Sequence, residues 1–315
     1  MSGEADFIAA LRRIATDPMA RGLADDAAVL GDLVLTHDMI VEGVHYLAGD
    51  PPEDVAWKLV AVNLSDLAAK GAWPLAVLLG YTLAGDPAWD RAFLRGLAEV
   101  LERFGVALAG GDTVAVPPGT PRTLGLTAIG RAPSGGAPAR RGARSGDMLF
   151  IAGTIGDAGV GLAIARGEVE GPAALLDAYR RPVPLFDVGR ALAPHVTAMM
   201  DVSDGLLIDA ARLGAASGLS IAIDLDMVPL SPALVEYVGD DRAVRLQATT
   251  AGDDYALLLT APGTDEAMLL GICKPFRVRL TRIGRVAGGA GLTLRDRDGT
   301  VPLPGRLGYE HGKDQ

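Results

Sequence analysis

Apolar residues at helical spacing, Phe7, Ile8, Leu11 and Ile14, predict an amphipathic helix over residues 4–16. Apolar runs at 27–30 and 33–39, joined at Gly31-Asp32, predict two short strands. Pro51-Pro52 open a long helix to about Lys70, with Glu53 and Asp54 in its first turn, where the helix dipole favours acids. Residues 75–83 read as a buried strand, 88–104 as a helix, and 106–109 and 122–131 as strands. The stretch 132–144 is Pro, Gly, Ala and Arg without apolar period, and it divides the chain into residues 1–135 and 136–315. In the second part the pattern gives strands at 148–152, 219–225, 255–260 and 278–286, and a strand ending near Asp201. Helices fall at 159–166, onward to Tyr179, and at 205–217. Strands and helices mix in both parts, so the expected class is α/β (α+β) with two mixed halves.

Composition narrows this. Of 315 residues, 49% are hydrophobic and 22% charged, enough apolar surface to offset the entropy of ordering. With 29 Lys+Arg against 39 Asp+Glu the net charge is −10, which argues against a nucleic-acid partner. Cys273 is the single cysteine, so an intrachain disulfide and a thiolate metal cluster are both excluded. The longest uncharged apolar run, about 71–85, contains Pro74 and falls short of the ~18 residues of a membrane span. Glu4, Asp6, Arg12 and Arg13 near the start do not suit a secretory signal. A cytoplasmic protein with no membrane partner is expected.

The acids are 29 Asp and only 10 Glu, although surface helices favour Glu. Many of these Asp lie in segments of one style, small residues around one or two acids. They are Ala24-Asp25-Asp26-Ala27, Thr36-His37-Asp38, Asn63-Leu64-Ser65-Asp66, Gly110-Gly111-Asp112-Thr113, Asp201-Val202-Ser203-Asp204-Gly205 and Ala251-Gly252-Asp253-Asp254-Tyr255. Each alone also fits a structural role. Asp25 or Asp26 suits a turn, Gly110-Gly111-Asp112 a tight turn, and Asp204-Gly205 a helix N-cap. Asp66 has Lys70 four residues on as an ion-pair partner. Together the segments suit an oxygen-rich Mg²⁺ site built from several elements, with small residues that let phosphates approach. The Gly-rich stretch 151–161, which follows a strand and opens a helix, offers backbone N–H groups to an anion. Arg140, Arg141 and Arg144 either neutralise a phosphate or decorate a solvated linker.

In order along the chain, these segments resemble the thiamine-monophosphate kinase family of the aminoimidazole-ribonucleotide-synthetase-like ATP-binding superfamily. The resemblance also includes Glu42-Gly43-Val44-His45-Tyr46, Arg140-Arg141-Gly142-Ala143 and Gly308-Tyr309-Glu310-His311, and it covers essentially the whole chain. It implies an N-terminal half, 1–135, that binds ATP and Mg²⁺ and forms a homodimer through its sheet. The C-terminal α/β half, 136–315, closes the site, with ATP and several Mg²⁺ between the halves. By position, Asp26, Thr36, His37 (through its backbone), Asp38, Asp66, Asp112, Asp201 and Asp204 are implied metal ligands. Gly111, Asp112, Arg140 and Ser203 are implied nucleotide contacts, and His45, Asp253 and Tyr309 contacts to thiamine monophosphate. The chain departs from the family pattern at Ala24, at Asp253 where a Glu is usual, and after His311.

The implied reaction is transfer of a phosphoryl group from ATP to thiamine monophosphate, yielding thiamine diphosphate. A phosphate acceptor with its second pKa at about 6 is largely ionised at neutral pH and requires no general base, so none is assigned. Two other readings stand beside it. One is an ATP-dependent synthetase of the same superfamily that activates a carbonyl oxygen. The other is a non-catalytic nucleotide- or metal-binding module.

Overall fold

The computed structural model describes residues 4–117 and 119–310. Helix α1 (Glu4–Arg12) precedes a hairpin of β1 (Ala28–Leu30) and β2 (Leu33–Val41), which turns at Gly31 with φ 62°. Then come α2 (Pro52–Ala69), β3 (Trp73–Leu83), α3 (Pro87–Phe104), β4 (Ala107–Ala115) and β5 (Thr123–Arg131). The sheet order is β1-β2-β5-β3-β4, with β3 and β4 parallel and the other neighbours antiparallel.

Two expectations are corrected here. α1 stops at Arg12, and Phe7, Leu11 and Ile14 are exposed, so its apolar stripe does not enter the core. On β3, Val77 and Tyr81 are buried but Leu78 between them is exposed, so the strand is buried on one face only. The face of this sheet turned away from α2 is open: Met39 and Leu78 are exposed, and β4 is exposed along its whole length.

The second half contains β6 (Met148–Ala152), α4 (Asp157–Ala165), α5 (Ala173–Arg180), α6 (Phe186–Leu192), β7 (Ala198–Val202), α7 (Leu206–Ser217) and β8 (Ser220–Asp224). It continues with α8 (Pro232–Val238), α9 (Arg242–Thr250), β9 (Ala256–Ala261), α10 (Glu266–Cys273), β10 (Leu280–Ala287), β11 (Gly291–Asp296) and β12 (Gly299–Val301). Its strands run in the order β12-β11-β8-β10-β6-β9-β7, with β8 and β11 parallel and the rest antiparallel.

α2 is apolar on nearly every side because it is covered on nearly every side. One side packs on the first sheet with Leu59, Leu64 and Leu67. Its end, Ala68 and Ala69, joins a core with Phe150, Leu257 and Leu259 of the second sheet. Two glycines allow the neighbouring helices in. A Cβ on Gly96 of α3 would lie 2.4 Å from Glu53 O, and one on Gly189 of α6 would lie 2.1 Å from Ala68 O. The helix therefore belongs to both halves, and polar side chains on it face the seam.

Candidate active site between the two halves

Alternation along β2 turns Thr36 and Asp38 toward α2 and His37 to the open face. Thr36 Oγ1 donates to Asp66 Oδ2 and, at 3.3 Å, to Asp26 O. Asn63 Oδ1 accepts the Asp38 N–H at 2.9 Å, fixing the strand to α2. Across the seam, Ser65 Oγ donates to Asp201 Oδ2 at 2.7 Å, at the end of β7. Carboxylate oxygens of Asp26, Asp66 and Asp201 thus come within 4.8 Å of one another.

Such crowding is unfavourable for bare carboxylates. Burial, then the charges of Asp38, Asp201 and Asp26, push Asp66 well above the carboxylate range. Burial and Asp26 do the same to Asp201. Asp38 is pushed up to about 6 by burial, with Asp204 and Asp26 adding to it. Burial also acts on Asp26, but the Lys70 ammonium and the Arg140 guanidinium outweigh it and hold its carboxyl low. The donor set is all oxygen and suits a hard divalent cation. Asp26 Oδ2 is buried and lies 2.7 Å from Lys70 Nζ, yet out of line for a hydrogen bond. A cation bridging these oxygens would relieve the repulsion that protons relieve in its absence.

This predicts a pH signature. The folded Asp38 carboxyl takes up its proton at about 6, against an ordinary value of 3.8. Between those values the unfolded chain holds fewer protons, so metal-free stability falls as pH rises through the window. Mg²⁺ should therefore raise the unfolding temperature more at pH 7.5 than at pH 5. Equal shifts at both pH values in calorimetry would show that Mg²⁺ does not replace protons at these carboxyls.

Several expectations change. Lys70 does not pair with the Asp66 side chain; it turns away, fully buried, to Asp25 and Asp26. Gly110, Gly111 and Asp112 form no turn but lie within β4. A Cβ on Gly111 would sit 1.9 Å from Leu79 O, so glycine there permits the close approach of β3. Asp112 is exposed, and its Oδ1 accepts from the N–H of Thr113 at 2.9 Å. It pairs through β3 and β5 to β2, three strand spacings or roughly 14 Å from Asp38, and does not join the cluster within one chain. His37 makes a 2.9 Å contact from Nδ1 to Thr127 Oγ1, so its ring is not free.

Asp204 does not cap α7. Asp209, buried in the first turn, reaches back to accept the N–H groups of Ser203 at 3.1 Å and Asp204 at 3.0 Å. Arg212 pairs with both acids, Asp204 and Asp209. The glycine-rich turn before α4 already holds an anion of the chain itself, since Gly156 N donates to Asp254 Oδ1 at 2.7 Å. Arg140 is no solvated linker residue, because its guanidinium pairs with Asp26.

Asp26, Asp38, Asp66 and Asp201 open onto a cleft of about 1380 Å³ between the halves. Arg140, Ser203 and Asp204 line it too, and so do His45, Asp253 and Tyr309. His45 Nδ1 accepts the Val41 N–H at 3.1 Å. Tyr309 is anchored by its N–H to Asp204 O at 2.8 Å. Asp253 sits at φ 68°, a strained setting for a non-glycine residue, with its carboxylate 2.7 Å from Lys58 Nζ and bonded at 2.9 Å by Tyr255 OH. His311 lies outside the described residues. Sequence reasoning missed Lys58 and Asp209, and gave Lys70 another partner than it has. A lysine inside an otherwise apolar helix was the available signal for Lys58, which also stacks 3.9 Å over the Tyr179 ring. Cys273 is buried on α10, away from the cleft, and burial pushes its thiol up to about 11, so it is unreactive at neutral pH.

Two mixed α/β halves with an acidic, oxygen-lined cleft in the seam define the architectural class of the chain. The chain belongs to the AIR synthase related protein family: its N-terminal domain matches residues 24–132 and its C-terminal domain residues 144–297. The thiamine-monophosphate kinase of Caulobacter vibrioides is 40% identical, over 98% of this chain and 91% of the relative. That of Salmonella typhimurium is 35% identical, over 92% and 91%. The solved structure of AaThiL complexed with AMPPCP and TMP is 30% identical, covers 98% of this chain and 97% of its own, and superposes with a TM-score of 0.84.

Proposed function

We infer that the chain transfers the γ-phosphoryl group of ATP to thiamine monophosphate, giving thiamine diphosphate and ADP. It is an enzyme, a phosphotransferase whose acceptor is itself a phosphate. The observation that carries this reading is the convergence of Asp26, Asp66 and Asp201 beside Arg140, in one cleft with His45, Asp253 and Tyr309. The kinship to thiamine-monophosphate kinases over nearly the whole chain selects it from the synthetase and binding-module readings.

Mg²⁺ held by Asp26, Thr36, Asp38, Asp66, Asp201 and Asp204, with the His37 carbonyl, would neutralise the phosphates of two like-charged reactants. The chain's own part is positioning. Arg140 and Ser203 lie on the nucleotide side, where the guanidinium can exchange Asp26 for a phosphate. His45 and Tyr309 bound the acceptor end. Asp253, with Lys58 behind it, offers a carboxylate to the cationic thiazolium. Closure of the halves excludes water as a competing acceptor.

The division into 1–135, which binds ATP and Mg²⁺ and dimerises, and 136–315 belongs to the same proposal. The open sheet face supports a homodimer. Asp112 is turned to that face by its pairing through Gly80 and Gly125 to Met39, and Gly111 precedes it on the exposed edge strand β4, so they would serve the nucleotide site of the second copy rather than their own. A cytoplasmic location belongs to the proposal as well, on the biosynthetic role of the relatives. No helix among the described residues is long and apolar enough to cross a membrane.

Incubation with γ-labelled ATP, Mg²⁺ and thiamine monophosphate should place the label in the terminal phosphate of thiamine diphosphate, one ADP per product. Label released mainly as free phosphate would point to the carbonyl-activating reading instead.

A further inference from the structure

Lys70 follows the last turn of α2 where the two halves meet, and its side chain runs inward with 0% of its surface exposed. The ammonium ends among four oxygens: Asp25 Oδ1 at 2.5 Å, Asp26 Oδ2 at 2.7 Å, Met199 O at 3.0 Å and Pro138 O at 3.3 Å. Two belong to the first half, one to the joining segment and one to β7 of the second half. A shell of carboxylate and carbonyl oxygens is how proteins replace the hydration of a monovalent cation. The end of a helix, with its unpaired carbonyls, adds negative potential at the same place.

The charges around the nest are unevenly shared. Asp25 also binds Arg21 at 2.7 Å, and Asp26 also binds Arg140. Two acids there face three bases. Asp66 and Asp201, by contrast, are held by the hydroxyls of Thr36 and Ser65. Asp26 is therefore the member of the cluster whose place is set by fixed positive charge, and Lys70 is the part of that charge that cannot move to a ligand, being sealed from the cleft.

We propose that Lys70 is a tethered monovalent cation: its ammonium fills an oxygen nest contributed by both halves and so holds Asp26 at the distance from Asp66 and Asp201 that a divalent ion requires. It is a positioning residue and touches no substrate. The inference rests on reading Asp26, Asp66 and Asp201 as a divalent-metal centre.

Lys70→Met keeps most of the apolar arm and removes the charged tip. Mn²⁺ binding is measured by calorimetry on the nucleotide-free protein, with tetramethylammonium, K⁺ or NH4⁺ as the only monovalent cation. In tetramethylammonium the variant should bind Mn²⁺ roughly 10–100-fold more weakly than wild type, the usual effect of losing a partner behind a metal ligand. K⁺ or NH4⁺, small enough for the nest, should restore most of that loss, and wild type should be indifferent to the exchange. Unchanged Mn²⁺ affinity in the variant overturns the proposal, and so does a loss that neither small cation reduces. Should the variant unfold in tetramethylammonium, its unfolding temperature decides: stabilisation by K⁺ or NH4⁺ in the variant alone supports the tethered cation, and no such gain overturns it. Wild type that binds no Mn²⁺ would remove the metal reading and this inference together.

Discussion

Asp66→Asn should lower turnover at least about 100-fold while raising the unfolding temperature of the metal-free protein. The two effects have opposite signs because one carboxylate serves two ends. Asp66 stands within reach of Asp26 and Asp201, and its burial among these acids disfavours its charge. An amide is neutral, still accepts from Thr36 Oγ1, and removes the repulsion, so folding gains. The same amide is a poor ligand for a hard cation, so reactants that rely on charge neutralisation lose their alignment. Turnover at saturating Mg²⁺ and calorimetry without metal measure the two halves of this expectation. Near wild-type turnover would exclude Asp66 as a ligand. Lost turnover together with lost stability would mean that the carboxylate supports the fold rather than the chemistry.

A mixture of two inactive variants should recover activity. Asp112→Asn alone is expected to be as damaged as Asp66→Asn, although Asp112 lies on the exposed strand β4, far from Asp66 within one chain. If Asp112 serves the partner's site, a mixed dimer has one site with both lesions and one with neither. Random exchange makes half the dimers mixed, so turnover should return to about a quarter of the wild-type value. The assay is turnover after co-refolding or co-expression, compared with each variant alone. A mixture as inactive as its components would place Asp112 outside the partner's site. Full activity of Asp112→Asn alone would remove it from the machinery.

Helices and strands with a strong local period were legible beforehand. α2 and α3, the β1–β2 hairpin, β5, β6 and α7 lie within a few residues of their expected places, because proline starts, glycine stops and apolar spacing are local properties. The segments rich in Asp and small residues were legible as well, since no surface role explains so many short acids beside glycine and alanine. α8 to α10 and the last two strands were not read, because none is longer than nine residues and so short a run repeats its period too few times to stand out. α1 was misjudged for another reason: an apolar stripe shows what a helix is able to bury, not what stands there to bury it.

The sequence by itself determined that two mixed α/β halves would share an oxygen-rich site, and which acids were its candidates. It could do so because residue type decides ligand chemistry and because order along the chain carries the family likeness. Only the tertiary structure decided which acids meet. Asp26, Asp66 and Asp201 come from a loop, a helix and a strand far apart in sequence, and they converge because α2 is buried between both sheets. Asp112 shares their local style, yet three strand spacings separate it from Asp38 on β2, a distance set by sheet order, which local pattern does not encode. Lys70, four residues after Asp66, turns to Asp25 and Asp26 instead, because the seam closes over its ammonium with oxygens from both halves. Low dielectric and neighbouring charge then decide which carboxyls hold protons, and both are properties of the assembled seam rather than of any segment that enters it.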